Sequence, residues 1–132
     1  MNARAFDRVL QAALARIPAE FRQAIRDIPV VVEDWPDPEL MREATGDPEA
    51  VLYGYFDGVP LTERSVQDPT APPPVIRIFR GPLLEDFPLR QELEEEIEVT
   101  LVHEIAHLMG LDEETADRQG RQRPPSARAR MH

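Results

Sequence analysis

The segment that most constrains the fold is residues 97–109, which is apolar on nearly every side when it is drawn as a helix. Its apolar members are Ile97, Val99, Leu101, Val102, Ile105, Ala106, Leu108 and Met109. A helix of this kind is buried, so the rest of the chain has to cover it. Its second half nevertheless carries His103, Glu104 and His107. Because buried imidazoles and carboxylates need hydrogen-bond partners or a metal ion, these three side chains are the first candidates for a functional site.

The spacing of these residues predicts a metal site. His103 and His107 are four residues apart, so on a helix they project from one face, about one turn apart. Both imidazoles can then bind one metal ion from a single rigid element. Glu104 falls on the adjoining face, where its carboxylate can reach a water molecule and act as a general base. The alternative interpretation is that the three side chains are core residues whose polar groups are satisfied by other parts of the protein.

A catalytic zinc ion needs a third protein ligand and one open position. The chain has no cysteine, so that ligand is a histidine or a carboxylate. Gly110 allows a sharp turn directly after the helix, which would bring the next residues back toward the imidazoles. Glu113 is the favoured ligand and Asp112 is the next candidate, although this acidic cluster could also be the solvated start of a further helix. The other acidic residues in reach are Glu114 and Asp117.

The remaining pattern predicts an α+β fold. Helices are expected at residues 2–17, 19–26 and 38–44, and strands at residues 28–33, 51–56 and 75–80. Asp86 is the expected N-cap of the long helix, which ends at Gly110, and the acidic run 92–98 is interpreted as its solvated face. We therefore expect a small twisted sheet packed on a long metal-binding helix, with the 75–80 strand at the edge where a peptide could add.

Size and charge restrict the possible partners. At 132 residues the chain has the length of one domain, and it has a net charge of −10 with 15 arginines and no lysine. Such an acidic surface repels nucleic acid and anionic membranes, whereas a neutral or cationic peptide would be tolerated. We expect a domain at residues 1–118 and a disordered tail, rich in Arg and Pro, at residues 119–132. With no membrane span and no secretion-signal pattern, the cytoplasm is the default compartment.

Once the motif is written out, it resembles that of a known group of proteins. The pattern His103-Glu104-x-x-His107-x-x-Gly110-x-x-Glu113 resembles the metzincin motif, with an acidic residue where most metzincins place a third histidine. The methionine turn of that clan has no counterpart. Residues 30–34, 58–65, 78–83 and 102–107 are similar to segments of the small bacterial zincin-like metallopeptidases. This resemblance implies a compact zincin-like domain with a zinc site.

The leading functional hypothesis is therefore a zinc-dependent peptidase that acts on a peptide or protein, with Glu104 as general base. A further donor could stabilise the oxyanion that forms during peptide hydrolysis. The candidates are Tyr53, Tyr55, Arg77 and Arg80, although packing in the core is the more ordinary role of a tyrosine. The competing hypothesis is a non-catalytic domain that a metal stabilises and that serves as a protein-interaction module.

Overall fold

The computed structural model describes residues 1–47, 49–59, 73–111 and 120–123. In these ranges the element order confirms the predicted α+β class. The helices are α1 (Ala3–Arg16), α2 (Ala19–Ala24), α3 (Pro38–Thr45), α4 (Arg80–Asp86) and α5 (Arg90–Met109). The strands are β1 (Val30–Glu33), β2 (Leu52–Asp57), β3 (Val75–Phe79) and β4 (Arg121–Gln122). Among these helices none is both long and apolar enough to cross a bilayer.

The four strands form one mixed sheet in the order β1-β3-β2-β4. Strand β3 runs parallel to β1, with Val32 opposite Ile78, and antiparallel to β2, with Tyr55 opposite Arg77. The prediction that residues 75–80 form an exposed edge is therefore wrong, because β3 has a neighbour on both sides. A period-two pattern shows which faces of a strand are apolar, but it carries no information about strand order.

The main hydrophobic core lies between α5, α1 and the sheet. Helix α5 buries one side completely, and the residues on that side are Leu93, Ile97, Leu101, Ile105 and Leu108. These positions recur every three or four residues, as expected for one face of a helix. Complete burial of each such side chain stabilises the fold by about 1.5–3 kcal/mol. Helix α5 is less enclosed than its sequence indicates, since Val99 is 46% exposed.

A smaller apolar cluster joins α3 to the sheet. Ala44 of α3 belongs to the same buried cluster as Leu52 and Phe79, which are both fully buried. Phe79 lies on the side of β3 opposite to Ile78, because neighbouring side chains of a strand alternate between its two faces. Helix α3 ends at Gly46, whose φ of 65° is in the left-handed region where glycine carries no steric penalty. The helix predicted at residues 38–44 therefore agrees with α3 to within one residue at this end.

Two expected boundaries differ from the structure. Helix α5 begins at Arg90 with Leu89 as its N-cap, and Asp86 is instead the last residue of α4. The carboxylate of Asp86 is bound by the hydroxyl of Tyr53 and the guanidinium of Arg123, so it does not cap a helix. The strand predicted at residues 75–80 ends one residue earlier, because Arg80 is the first residue of α4.

The tail predicted at residues 119–132 contains the last strand of the sheet, β4. Residues 121–122 pair antiparallel with β2, with Gln122 opposite Leu52 and Arg121 opposite Gly54. Residues 120–123 are thus part of the folded structure, which differs from the expected disordered tail at 119–132. The rest of that tail lies outside the described residues.

Candidate metal centre

The last turns of α5 bring the three predicted site residues together. The side chain of His103 is 19% exposed, that of His107 is 8% exposed, and that of Glu104 is fully buried. One potential ligand atom from each of the three residues lies within 4.8 Å of the other two. The two imidazole rings have their centroids 5.1 Å apart at an angle of 63°. The four-residue spacing therefore has the effect that the sequence predicts, with both rings on the same side of the helix.

The donor set fits a zinc ion. Imidazole nitrogen is a common zinc ligand in proteins, and the two histidines supply two of the three protein ligands that a catalytic zinc ion needs. Donors at 2.0–2.1 Å from one tetrahedral ion lie roughly 3.4 Å apart, and the possible ligand atoms of this cluster lie within 4.8 Å of one another. The side chain of His103 is partly exposed, whereas those of Glu104 and His107 are buried. His103 and His107 could thus both bind one zinc ion, with the Glu104 carboxylate beside it.

The end of α5 redirects the chain directly after the histidines, as expected. Gly110 has a φ of 70°. Its backbone N–H donates to the carbonyl of His107 at 3.0 Å, and Leu111 donates to the carbonyl of Ala106 at the same distance. This hydrogen-bond pattern ends the helix in a left-handed turn. The predicted third ligand Glu113 and the alternatives Asp112, Glu114 and Asp117 all lie outside the described residues.

The carboxylate of Glu104 is held between two strands of the sheet. Its Oε1 accepts the backbone N–H of Phe56 in β2 at 2.9 Å, and its Oε2 accepts the backbone N–H of Arg121 in β4 at 2.8 Å. A buried carboxylate needs such compensation because it has lost its hydration. The same two oxygens lie close to the histidines. Oε2 is 3.8 Å from Nε2 of His103, and Oε1 is 3.5 Å from Nδ1 of His107. Each oxygen still has capacity to accept a second hydrogen bond.

A second buried carboxylate lies on α5 two turns before Glu104. Glu96 is 8% exposed. It accepts hydrogen bonds from the Thr100 hydroxyl at 3.0 Å and from Nε and Nη2 of Arg121 at 3.1 and 3.3 Å. The interpretation of residues 92–98 as a solvated face is therefore wrong for Glu96. Its partner is 25 residues away in the chain, so no local pattern could have identified the pair.

Tyr53, a candidate for stabilising the oxyanion, is buried in the core and hydrogen-bonded to Asp86. Its ring is fully buried, and its hydroxyl donates to Asp86, which also receives two hydrogen bonds from the guanidinium of Arg123. Burial raises the pKa of the Tyr53 hydroxyl, and the hydrogen bond to Asp86 raises it further. Tyr53 therefore links α4 to the sheet.

The other candidates differ in their availability. Arg77 forms an ion pair with Glu33, and Arg80 forms one with Asp34, so both guanidinium groups are engaged. Tyr55 is half-buried. Burial raises the pKa of its hydroxyl, and the surrounding carboxylates, Glu104 among them, raise it further.

Comparison with known proteins agrees with this geometry. The model of the zincin-like metallopeptidase family matches residues 25–121, a range that begins directly after α2, ends at the first residue of β4 and contains the whole His103–His107 motif. The chain belongs to the zincin-like metallopeptidase family. A comparison with curated proteins gives no match. Helix α1 lies outside the matched range, although it packs on the family's motif-bearing helix.

Proposed function

We propose that this zincin-like protein is a zinc-dependent peptidase in which Glu104 is the general base. The observation that carries the proposal is the position of the Glu104 carboxylate, which is fully buried beside both histidines and held by two backbone N–H groups. A purely structural zinc site has no need of a carboxylate that is oriented in this way. Membership of the metallopeptidase family supports the same assignment.

In the proposed site, the imidazoles of His103 and His107 bind zinc, and we assign the third ligand to Glu113, with Asp112 as the alternative. When bound, zinc supplies Lewis-acid activation of a water molecule and of the scissile carbonyl. Glu104 takes a proton from that water on a free lone pair of its carboxylate, and it later transfers this proton to the leaving amine. The net reaction adds one water molecule to a peptide bond and yields a carboxylic acid and an amine.

The proposed substrate is a peptide or a protein segment of neutral or positive charge. The chain has a formal net charge of −10, so a basic peptide is attracted to it and an acidic peptide or a nucleic acid is repelled. Hydrolysis of a basic peptide should therefore slow as the salt concentration rises, because salt screens this attraction.

The test uses the zinc-loaded full chain and a library of fluorogenic peptides. Glu104→Gln should lower kcat by about 10²–10⁴-fold, since general-base catalysis contributes that much, while zinc content stays equal to that of the parent. Glu95→Gln is the matched control because Glu95 is an exposed residue of the same helix, and its kcat should equal that of the parent. Zinc analysis by mass spectrometry accompanies each assay. A zinc-loaded parent that cleaves no member of the library would instead identify a non-catalytic, metal-stabilised domain.

A further inference from the structure

Arg121 contacts α5 in two places. Its backbone N–H donates to Oε2 of Glu104 at 2.8 Å, and its guanidinium binds both carboxylate oxygens of Glu96. Glu96 and Glu104 are eight residues apart on α5, about 12 Å along the helix axis. A single residue of β4 therefore bridges the proposed general base and a second buried carboxylate.

The contact with Glu96 is well suited to hold β4 in place. The guanidinium donates through Nε and Nη2 to different oxygens, and this two-point geometry fixes direction as well as distance. Thr100 donates to Glu96 and restrains the carboxylate from the helix side. The side chain of Glu96 is only 9% exposed, so water screens this ion pair less than it screens a surface pair.

The neighbouring residues fix the rest of the segment. Arg123 binds the buried carboxylate of Asp86 with two hydrogen bonds of 2.6 and 2.5 Å, and its backbone N–H donates to the carbonyl of Val51 at 2.8 Å. Gly120 lies so close to β2 that a Cβ there would be 2.7 Å from the carbonyl oxygen of Gly54. The segment is thus anchored at both ends and packed tightly against β2.

We propose that Arg121 is a positioning residue for Glu104. Glu96 holds the Arg121 side chain, and this fixes the Arg121 backbone N–H against Oε2 of the base. Together with the N–H of Phe56, it sets the rotation of the carboxylate about its last bond, which decides where the free lone pairs point. Misplacement of a reacting group by about 1 Å can cost on the order of 100-fold in rate. The catalytic consequence rests on the proposed function, whereas the anchoring of the N–H does not.

The kinetic test distinguishes the effect of the Arg121 side chain from the effect of its backbone N–H. Arg121→Ala keeps the N–H but loses its anchor, and Arg121→Pro removes the N–H as well. We expect kcat to fall about 10-fold in the first variant and about 100-fold in the second, with KM changed less than about twofold and zinc content unchanged. Arg16→Ala is the matched control, because Arg16 binds Glu94 and Glu98 of the same helix without contacting Glu104. Its kcat should equal that of the parent.

A second readout needs no catalysis. Amide hydrogen exchange, followed by NMR on the metal-free protein, should show the Arg121 N–H protected in the parent. In Glu96→Gln and Arg121→Ala this amide should exchange at least about tenfold faster, while the amide of Ile105 in the core of α5 keeps its rate. If the parent hydrolyses nothing but the exchange result holds, the anchoring stands and the proposed function fails.

Three results would overturn the positioning role. The first is an unchanged kcat in both Arg121 variants of an active parent. The second is a loss of zinc from Arg121→Ala, because residues 120–123 would then support metal binding rather than the position of Glu104. The third is a rise in kcat on removal of the Arg121 side chain, since β4 would then obstruct the site instead of orienting it. Urea unfolding of each variant verifies that it is folded under assay conditions.

Discussion

Gly54 of β2 packs directly against Thr100 of the motif-bearing helix, and Gly54→Ala should destabilise the protein. A Cβ at this position would lie 2.5 Å from the Cγ2 methyl of Thr100 and 3.2 Å from the carbonyl oxygen of Arg77. Nonbonded carbon atoms pack at about 3.5–4.0 Å, so the contact with the methyl is about 1 Å too short. Overpacking of this kind costs about 2–3 kcal/mol of unfolding free energy. For a domain of this size we expect Tm to fall by roughly 8–12 °C.

Thr100→Ser provides the matched rescue, because it removes the obstructing methyl and keeps the hydroxyl that donates to Glu96. Alone it should cost about 1 kcal/mol for the small cavity it leaves. Combined with Gly54→Ala it should restore most of the lost stability, which gives a favourable coupling of about 2 kcal/mol in a double-mutant cycle measured by urea unfolding. Costs that add within about 0.5 kcal/mol would refute the proposed contact, as would a Gly54→Ala variant as stable as the parent.

Three further predictions concern pH, zinc and the core. The pKa of Tyr53 is raised above its ordinary value of 10.0, so the stability that neutral Tyr53 contributes is complete below pH 10 and should decline as the pH rises above 10. This part of the decline should vanish in Tyr53→Phe. Urea unfolding at pH 9 to 11 measures the decline, and an unchanged profile in the variant would contradict the assignment. Zinc at 100 times its Kd should raise the unfolding free energy by about 2.7 kcal/mol, and a chelator should abolish the gain; no Tm shift on addition of zinc would exclude binding to the native state. Leu101→Ala should cost about 2–5 kcal/mol, whereas Val99→Ala on the exposed side of α5 should cost less than about 0.5 kcal/mol; equal costs would contradict the burial pattern.

The sequence predicts the local part of this site well. The four-residue spacing of His103 and His107 decides their common face, and Gly110 decides where the helix ends, because both depend on backbone geometry within a few residues. The α+β class and the α3 boundary at Gly46 also follow from local signals.

The long-range part of the site could not be predicted in the same way. The interior position of β3 depends on the order of the strands in the sheet. The alternation of apolar and polar residues along a strand does not indicate that order. The pairs Arg121–Glu96 and Arg123–Asp86 join residues 25 and 37 positions apart. In composition, the arginines after residue 119 look like those of a solvated tail. Only the position of β4 beside β2 reveals that two of them neutralise buried acids.

The two backbone donors to Glu104 come from residues 56 and 121, one on each side of the motif in the chain. During synthesis the histidines and the glutamate leave the ribosome before the second donor does. A product interrupted before residue 120 would therefore carry every residue of the motif and still lack half of the support for its carboxylate. The support for the Glu104 carboxylate is therefore complete only once residues 121–122 have paired with β2.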